Sequence, residues 1–223
     1  MTGTSAADRE GNGVAWRERG SGDLVVLLHG LGGSRISWEP QLAALSEHRR
    51  VAAWDLPGYG ASAPLPDDPL TFRALADAAA AWIGTLGAER AHVVGISMGG
   101  MIAQYLAAHH PQRVRSLSLL STSPAFGLDG TQPHEWRAAR LAALDQGLEP
   151  ADFAGRVLRS IAGPHITDEA FAEQQAAMAR ITGAALRRSI DCLVTHDARP
   201  LLASIVAPTI VLVGELDQET PLE

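Results

Sequence analysis

The chain has 223 residues, 46% of them hydrophobic, which suffices to bury one core without division into separate folding domains. The formal net charge of −7, with no cluster of lysine and arginine, argues against nucleic acid as a partner. Cys192 is the only cysteine, so an intrachain disulfide is excluded and a buried apolar side chain is expected there. Residues 1–13 are polar, and no stretch reaches transmembrane length, so we expect no membrane partner and a cytoplasmic location.

Short apolar runs alternate with longer amphipathic patterns along the chain, which predicts an α/β fold: a mostly parallel sheet with helices on both faces. The apolar runs predict six strands, at residues 14–19, 24–28, 50–54, 91–96, 114–120 and 209–213. Apolar residues at helical spacing predict a helix over residues 71–86, which Gly87 ends, and they place Trp82 in the core. Another helix is predicted to follow residue 97 and to end before Pro111.

The alternation stops between about residues 124 and 200, where no strand pattern occurs. Amphipathic patterns predict four helices in this stretch, at residues 133–146, 150–161, 168–181 and 184–195. Glycine and proline separate these patterns. We therefore divide the chain into an α/β core over residues 1–123, a helical cap over residues 124–200 and a return to the core over residues 201–223.

The run from residue 91 to residue 100 is typical of a buried strand that breaks sharply into a helix, with Ser97 at the break. The Gly-x-Ser-x-Gly spacing is that of a nucleophile elbow, in which a strained turn lifts the serine hydroxyl clear of the backbone. Gly95 and Gly99 lack the Cβ atoms that would collide where the helix passes close to the strand. An ordinary strand-to-helix turn is the alternative, but the apolar run before Ser97 and the helical pattern after it favour the elbow.

A second motif follows the predicted strand at residues 24–28, where His29 leads into a glycine-rich loop. A serine that attacks a carbonyl needs two backbone N–H donors aimed at the developing oxyanion, and these donors lower the barrier by several kcal/mol. We expect one donor at Met98, directly after the serine, and the other at Leu31 in the loop. Since His29 lies between a strand and a glycine, it is poorly placed to act as the base. We interpret it as a structural residue that holds the loop by hydrogen bonds.

With these two motifs the chain resembles the α/β-hydrolase superfamily, and the resemblance extends over almost the whole sequence. It includes residues 55–62 after the third predicted strand and residues 214–221 near the end. Residues 95–104 are most similar to small cofactor-free esterases and lactonases, which include 3-oxoadipate enol-lactonases. The resemblance implies hydrolysis of a small carboxylic ester or lactone through an acyl-enzyme on Ser97, with no metal or organic cofactor.

Other reactions and another class of protein remain alternatives. The same motifs occur in carbon–carbon bond hydrolases and in peroxide-using esterases. Serine at the elbow argues against dehalogenases and epoxide hydrolases, which carry aspartate there. A catalytically inactive binding module or regulatory fragment is the alternative from a different class.

In the resembled family the helical insertion covers the active site and supplies much of the substrate pocket. Its large apolar residues are candidates for the pocket lining, although packing between cap helices explains them equally well: Phe126, Trp136, Phe153 and Met178. Three arginines are candidates for contact with a substrate carboxylate, with solvated surface as the alternative: Arg35 after the glycine-rich loop, and Arg137 and Arg140 in the cap.

In the resembled fold the catalytic acid follows either the strand after the nucleophile helix or the next strand along. Residues 121–123, after the first of these strands, hold no carboxylate, whereas Asp217 follows the second. Asp217 is therefore the predicted acid. Asp55 is a rival, but the family pattern favours a role in bracing the loop that follows it. Glu215 and Glu219 share the Asp217 loop and are expected to be exposed.

The catalytic histidine that the resemblance implies lies a few dozen residues beyond the acid, and none of the eight histidines occupies that place. His196 is the least implausible substitute, although a helix-terminal role suits it better. We therefore expect that the sequence lacks the last strand and the base, without which the serine is a poor nucleophile. The predicted strand at residues 209–213 then becomes an apolar sheet edge, so oligomers are expected.

Overall fold

The computed structural model of the protein describes residues 6–221. Seven strands form one sheet in the spatial order β1-β2-β4-β3-β5-β6-β7. They are β1 (Ala7–Gly11), β2 (Val14–Arg19), β3 (Leu24–Leu28), β4 (Arg50–Trp54), β5 (Ala91–Ile96), β6 (Val114–Leu120) and β7 (Thr209–Leu212). β2 pairs antiparallel with β1 and β4, and the remaining pairs are parallel. The predicted α/β fold with a mostly parallel sheet is confirmed.

Within the described residues, the α-helices that accompany the sheet number seven: α1 (Glu39–Leu45), α2 (Phe72–Thr85), α3 (Met98–His109), α4 (Pro133–Asp145), α5 (Pro150–Ile161), α6 (Asp168–Ala179) and α7 (Gly183–Leu193). Threonine hydroxyls at the N-termini of α2, α6 and α7 accept hydrogen bonds from backbone N–H groups of the first turn. These contacts satisfy donors that a helix leaves unpaired at its start, and so they fix where the three helices begin.

The two faces of the sheet carry separate apolar clusters because side chains alternate along each strand. Val25 and Leu27 of β3 face a cluster that includes Leu42 of α1. Val26 and Leu28 face the larger cluster, which includes α2 and α3. Trp82 lies in this larger cluster with 1% of its surface exposed, which confirms its predicted place in the core.

Residues 124–200 hold α4 to α7, and we call them the helical segment. The chain enters and leaves this segment side by side: Phe126 N–H donates to the His196 carbonyl (2.9 Å), and Ala198 N–H donates to the Pro124 carbonyl (2.7 Å). α4 packs on α7, and α5 packs on α6. The segment is therefore inserted between β6 and β7. That it forms a cap distinct from the core stays a prediction.

β7 forms one edge of the sheet, and all four of its residues are exposed. Ile210, Val211 and Leu212 expose 51%, 64% and 51% of their surfaces, unlike the buried residues of β3.

In residues 6–221, no helix combines the length and the hydropathy that a membrane span requires.

Candidate active site

Ser97 lies in a strained turn between β5 and α3. Its φ is +51° and its ψ is −123°, a conformation that costs a residue with a side chain about 1–3 kcal/mol. The turn is held from β6, since Ser97 N–H donates to the Leu120 carbonyl (3.0 Å). Thr122 donates its hydroxyl to the Ser97 carbonyl (2.8 Å). The strain is thus maintained by hydrogen bonds to the Leu120 carbonyl and from the Thr122 hydroxyl, as expected for a side chain that must be presented at a site.

Two glycines allow α3 to begin against the ends of two strands. A Cβ atom on Gly95 would overlap the Gly99 carbonyl oxygen, and a Cβ on Gly99 would overlap the Leu28 carbonyl oxygen at the end of β3. Residues with side chains at these positions would push α3 away from the sheet. The spacing of the motif therefore has a steric cause in the structure.

The loop of residues 29–34, which we call the glycine loop, lies directly against Ser97. A Cβ on Gly30 would lie 3.0 Å from the Ser97 Cβ and 3.5 Å from its Oγ. Within residues 6–221, the N–H groups of Leu31 and Met98 donate no hydrogen bond to a protein acceptor. Met98 is also the first residue of α3, where the helix dipole favours negative charge. These two donors are available to a ligand beside Ser97.

His29 holds the start of the glycine loop. Its Nε2 accepts from the Leu56 N–H (3.0 Å), so the proton lies on Nδ1, which donates to the Gly30 carbonyl (2.8 Å). Burial lowers the pKa of His29, which keeps the ring neutral. The predicted structural role of His29 is confirmed.

Asp217 follows β7 and is half-buried in its own turn. Its Oδ1 accepts from the N–H groups of Glu219 and Thr220 (both 2.9 Å), and its Oδ2 accepts from the Thr220 hydroxyl (3.0 Å). Burial raises the pKa of Asp217, but these hydrogen bonds and the Ser121 hydroxyl together lower it below the ordinary value. The carboxylate is therefore ionised at neutral pH.

Three neighbouring strand ends bring Ser97 and Asp217 to one edge of the sheet. β5 ends directly before Ser97, β6 ends directly before Ser121, and β7 precedes Asp217. Ser97 N–H reaches across to β6, and Ser121 N–H donates to the Leu212 carbonyl of β7 (2.8 Å). Ligands of parallel sheets bind at such carboxyl ends. Residues 121–123 hold no carboxylate, and their run of hydroxyls is the signal in the sequence for this supporting role.

Within residues 6–221, no histidine makes a hydrogen bond to Ser97 or Asp217. His196, the substitute considered from sequence, donates from Nε2 to the Ser123 carbonyl (2.9 Å) and packs against the stacked rings of Phe72 and Tyr105. Burial lowers its pKa. These contacts give His196 a structural place at the junction of core and helical segment.

Two of the predicted pocket residues form an aromatic pair. Phe126 and Trp136 meet edge to face with ring centroids 5.3 Å apart. Arg140 stacks on Trp136 at 5.0 Å and pairs with Glu219 (2.9 Å), whose N–H binds Asp217. The structure therefore links this pair to the Asp217 loop, a connection that sequence spacing did not reveal.

The other predicted contacts are distributed over the molecule. Phe153 and Met178 are buried, and the Met178 sulfur lies near Gly32 of the glycine loop. The exposed Arg137 pairs with Asp191 of α7 (2.6 Å). The guanidinium of Arg35 is engaged by Asp55 and Asp8. Contact of the predicted pocket residues with a substrate stays a prediction.

The Asp55 carboxylate accepts hydrogen bonds from the backbone N–H groups of Arg35 (2.8 Å) and Ala61 (3.2 Å). Asp55 therefore braces the loop that follows it, as expected for the rival of Asp217. The expected exposure of Glu215 and Glu219 is also confirmed.

Comparison with known proteins supports the same fold and chemistry. The family model of the α/β hydrolase fold matches residues 23–181. A pimeloyl-[acyl-carrier protein] methyl ester esterase from Chromobacterium violaceum is 35% identical, over 91% of this chain and 79% of the relative. A hydrolase from Pseudomonas aeruginosa has 28% identity and a TM-score of 0.79, over 98% of this chain and 83% of that structure. The enol-lactonase from Burkholderia xenovorans has 25% identity and a TM-score of 0.66, over 93% of this chain and 81% of that structure. The chain belongs to the α/β hydrolase fold family.

Proposed function

We propose that this protein hydrolyses a small carboxylic ester through an acyl-enzyme on Ser97. The observation that carries this proposal is the strained Ser97 turn, with unpaired N–H groups on the next residue, Met98, and on Leu31, the neighbour of Gly30, which lies against Ser97. In the proposed reaction Ser97 Oγ attacks the carbonyl carbon and loses its proton to a base. The carbonyl oxygen becomes an oxyanion and binds the two N–H groups. The alcohol leaves with the proton, and water then releases the acid from Ser97.

Asp217 is the proposed acid, and its role is to orient the base and to stabilise the positive charge that the base acquires. Hydrogen bonds hold this carboxylate ionised, as the role requires. Within residues 6–221 no histidine makes a hydrogen bond to Ser97 or Asp217, so we assign no base in this part of the chain. The helical segment is the proposed cap, with Phe126 and Trp136 as lining and Arg137 as a further substrate contact.

The ester class is proposed from the relatives, among which a methyl ester esterase is 35% identical. A lactone is the second candidate, since an enol-lactonase shares the fold at 25% identity. Both are carboxylic esters, and both need the same nucleophile and oxyanion donors. No organic cofactor or metal takes part in the proposed reaction.

The test uses the gene product in its natural length, with aryl esters, methyl esters and lactones as substrates and a fluorophosphonate probe as label. We expect Ser97→Ala to lower turnover by about 10³-fold or more and to abolish labelling. Ser160→Ala, which removes an exposed hydroxyl in α5, is the matched control and should behave as wild type. Equal labelling of Ser97→Ala and wild type would disprove the assignment.

A further inference from the structure

The glycine loop is anchored at both ends by one other segment, residues 55–61 after β4, which we call the β4 loop. At the first end, His29 accepts the N–H of Leu56 (3.0 Å). At the far end, the carboxylate of Asp55 accepts the backbone N–H of Arg35 (2.8 Å) and also binds its guanidinium. Gly30, which lies against Ser97, is between these two anchors.

The far anchor is a buried ion pair. The side chains of Arg35 and Asp55 are 9% and 1% exposed, so solvent screens the pair little. The β4 loop wraps around the carboxylate, since Ala61 N–H donates to it (3.2 Å) and a Cβ on Gly60 would overlap it. Burial and these extra hydrogen bonds restrict the ion pair to one geometry. The pair in turn holds the backbone of Arg35 in place.

The same contacts leave Arg35 little capacity for a substrate. Its guanidinium binds Asp55 and also donates from Nε to Asp8 (3.2 Å), so two carboxylates already share its charge. Asp8 is in turn paired with Arg17 of β2 (2.8 Å). This network ties the glycine loop to the antiparallel edge of the sheet.

We propose that Arg35 and Asp55 are positioning residues that, with His29, hold the Leu31 N–H against Ser97. This inference rests on the proposed function, in which that N–H binds the oxyanion. It gives Arg35 a role in the reaction through the loop backbone, without contact with the substrate.

The first test follows the loop itself and needs no activity. In ¹⁵N-glycine-labelled protein we expect Arg35→Gln to shift or broaden the amide signals of Gly30, Gly32 and Gly33, and to leave that of Gly147 unchanged. Arg137→Gln, which breaks an exposed ion pair, is the matched control and should leave all of these signals in place. If Arg35→Gln does not fold, Arg35→Lys is used, because it keeps the charge and loses the planar fork. Unchanged loop signals in a folded Arg35 variant would overturn the proposal.

The second test separates positioning from substrate binding. We expect Arg35→Lys to lower kcat about 10–100-fold for a neutral ester and for an ester that bears a carboxylate, with KM nearly unchanged. A rise in KM for the carboxylate ester alone would instead assign Arg35 to the substrate and overturn the proposal. If Ser97→Ala retains turnover, the proposed function fails, and the glycine signals still decide whether Arg35 anchors the loop.

Discussion

Asp55 and Asp217 are carboxylates with different kinds of partner, and this difference supports the separate roles proposed for them. Asp55 is buried and neutralised by the guanidinium of Arg35. Asp217 accepts hydrogen bonds from neutral donors, which are backbone N–H groups and hydroxyls. Within the described residues it forms no ion pair with a cation. A carboxylate whose charge is not already balanced can stabilise an imidazolium, whereas a paired carboxylate mainly maintains structure. Residue identity alone does not distinguish the two.

We expect Asp217→Asn to lower kcat by about 10³–10⁴-fold and to leave the thermal midpoint near that of wild type, because the amide cannot balance a cationic base. Asp55→Asn is expected to cost about 3–5 kcal/mol of folding free energy, since it leaves the Arg35 charge buried and unpaired. Ester kinetics and urea unfolding of the natural-length protein measure both effects. Glu215→Gln, an exposed change in the Asp217 loop, is the control. The reverse pattern would make Asp55 the acid.

At the scale of elements, the junction between core and helical segment depends on a neutral histidine. His196 packs against the stacked rings of Phe72 (4.9 Å) and Tyr105 (5.8 Å) and donates to the Ser123 carbonyl. Its Nδ1 is buried and has no partner in the described chain. Protonation would place a charge in this apolar contact, and burial accordingly lowers the pKa of His196.

This junction predicts how stability changes with pH. In the unfolded chain His196 binds a proton near the ordinary pKa of 6.5, whereas the folded chain resists protonation until lower pH. The unfolded state therefore binds more protons below pH 6.5, and stability falls as the pH falls, by at most about 1.4 kcal/mol per pH unit for one group. Burial lowers the pKa of His29 and His92 too, so the wild-type slope has several contributors.

We expect His196→Gln to reduce the loss of unfolding free energy between pH 7.5 and pH 5.5, because glutamine keeps a donor for Ser123 but does not titrate. Urea unfolding at the two pH values measures this difference. His134→Gln, an exposed change in α4, should keep the wild-type slope. An equal slope in His196→Gln and wild type would contradict the role of His196.

At the scale of the whole molecule, the strands of the sheet are buried to different extents. The central strand β3 is buried on both faces, whereas β7 at the edge exposes every residue. Exposed apolar residues also flank this strand, with Val206 at 77% and Leu216 at 62%. An apolar edge with free backbone donors and acceptors invites pairing with another chain.

We expect a polypeptide that ends at Glu223 to self-associate through β7, because this edge offers both backbone hydrogen bonds and apolar side chains. Val211→Lys should increase the monomer fraction, since a charge on an edge strand opposes pairing. Leu128→Lys, which changes an exposed apolar residue of the helical segment, is the matched control and should leave association unchanged. Light scattering of the purified variants measures the effect. A stable wild-type monomer would refute the predicted pairing.

The sequence predicted the strands well because buried strands are marked by apolar runs. Five of the six predicted strands have the observed bounds, and the sixth differs by one residue. β1 was missed because its residues are polar and mostly exposed, and it forms by pairing with β2. α1 was missed because it is short, with only Leu42 buried. Elements without a periodic apolar pattern depend on their neighbours, so the local sequence does not reveal them.

By itself the sequence determined the alternation of strands and helices and the spacing around Ser97, because burial and close backbone approach restrict the residue types at those positions. Only the tertiary structure decided the order of the strands, the pairing of Arg35 with Asp55 and the place of His196. These depend on contacts between residues far apart in the chain: Arg35 and Asp55 are brought together by parallel β3 and β4. Charge and spacing alone left Arg35 as a candidate substrate contact, since a guanidinium can bind any carboxylate that the fold brings near it.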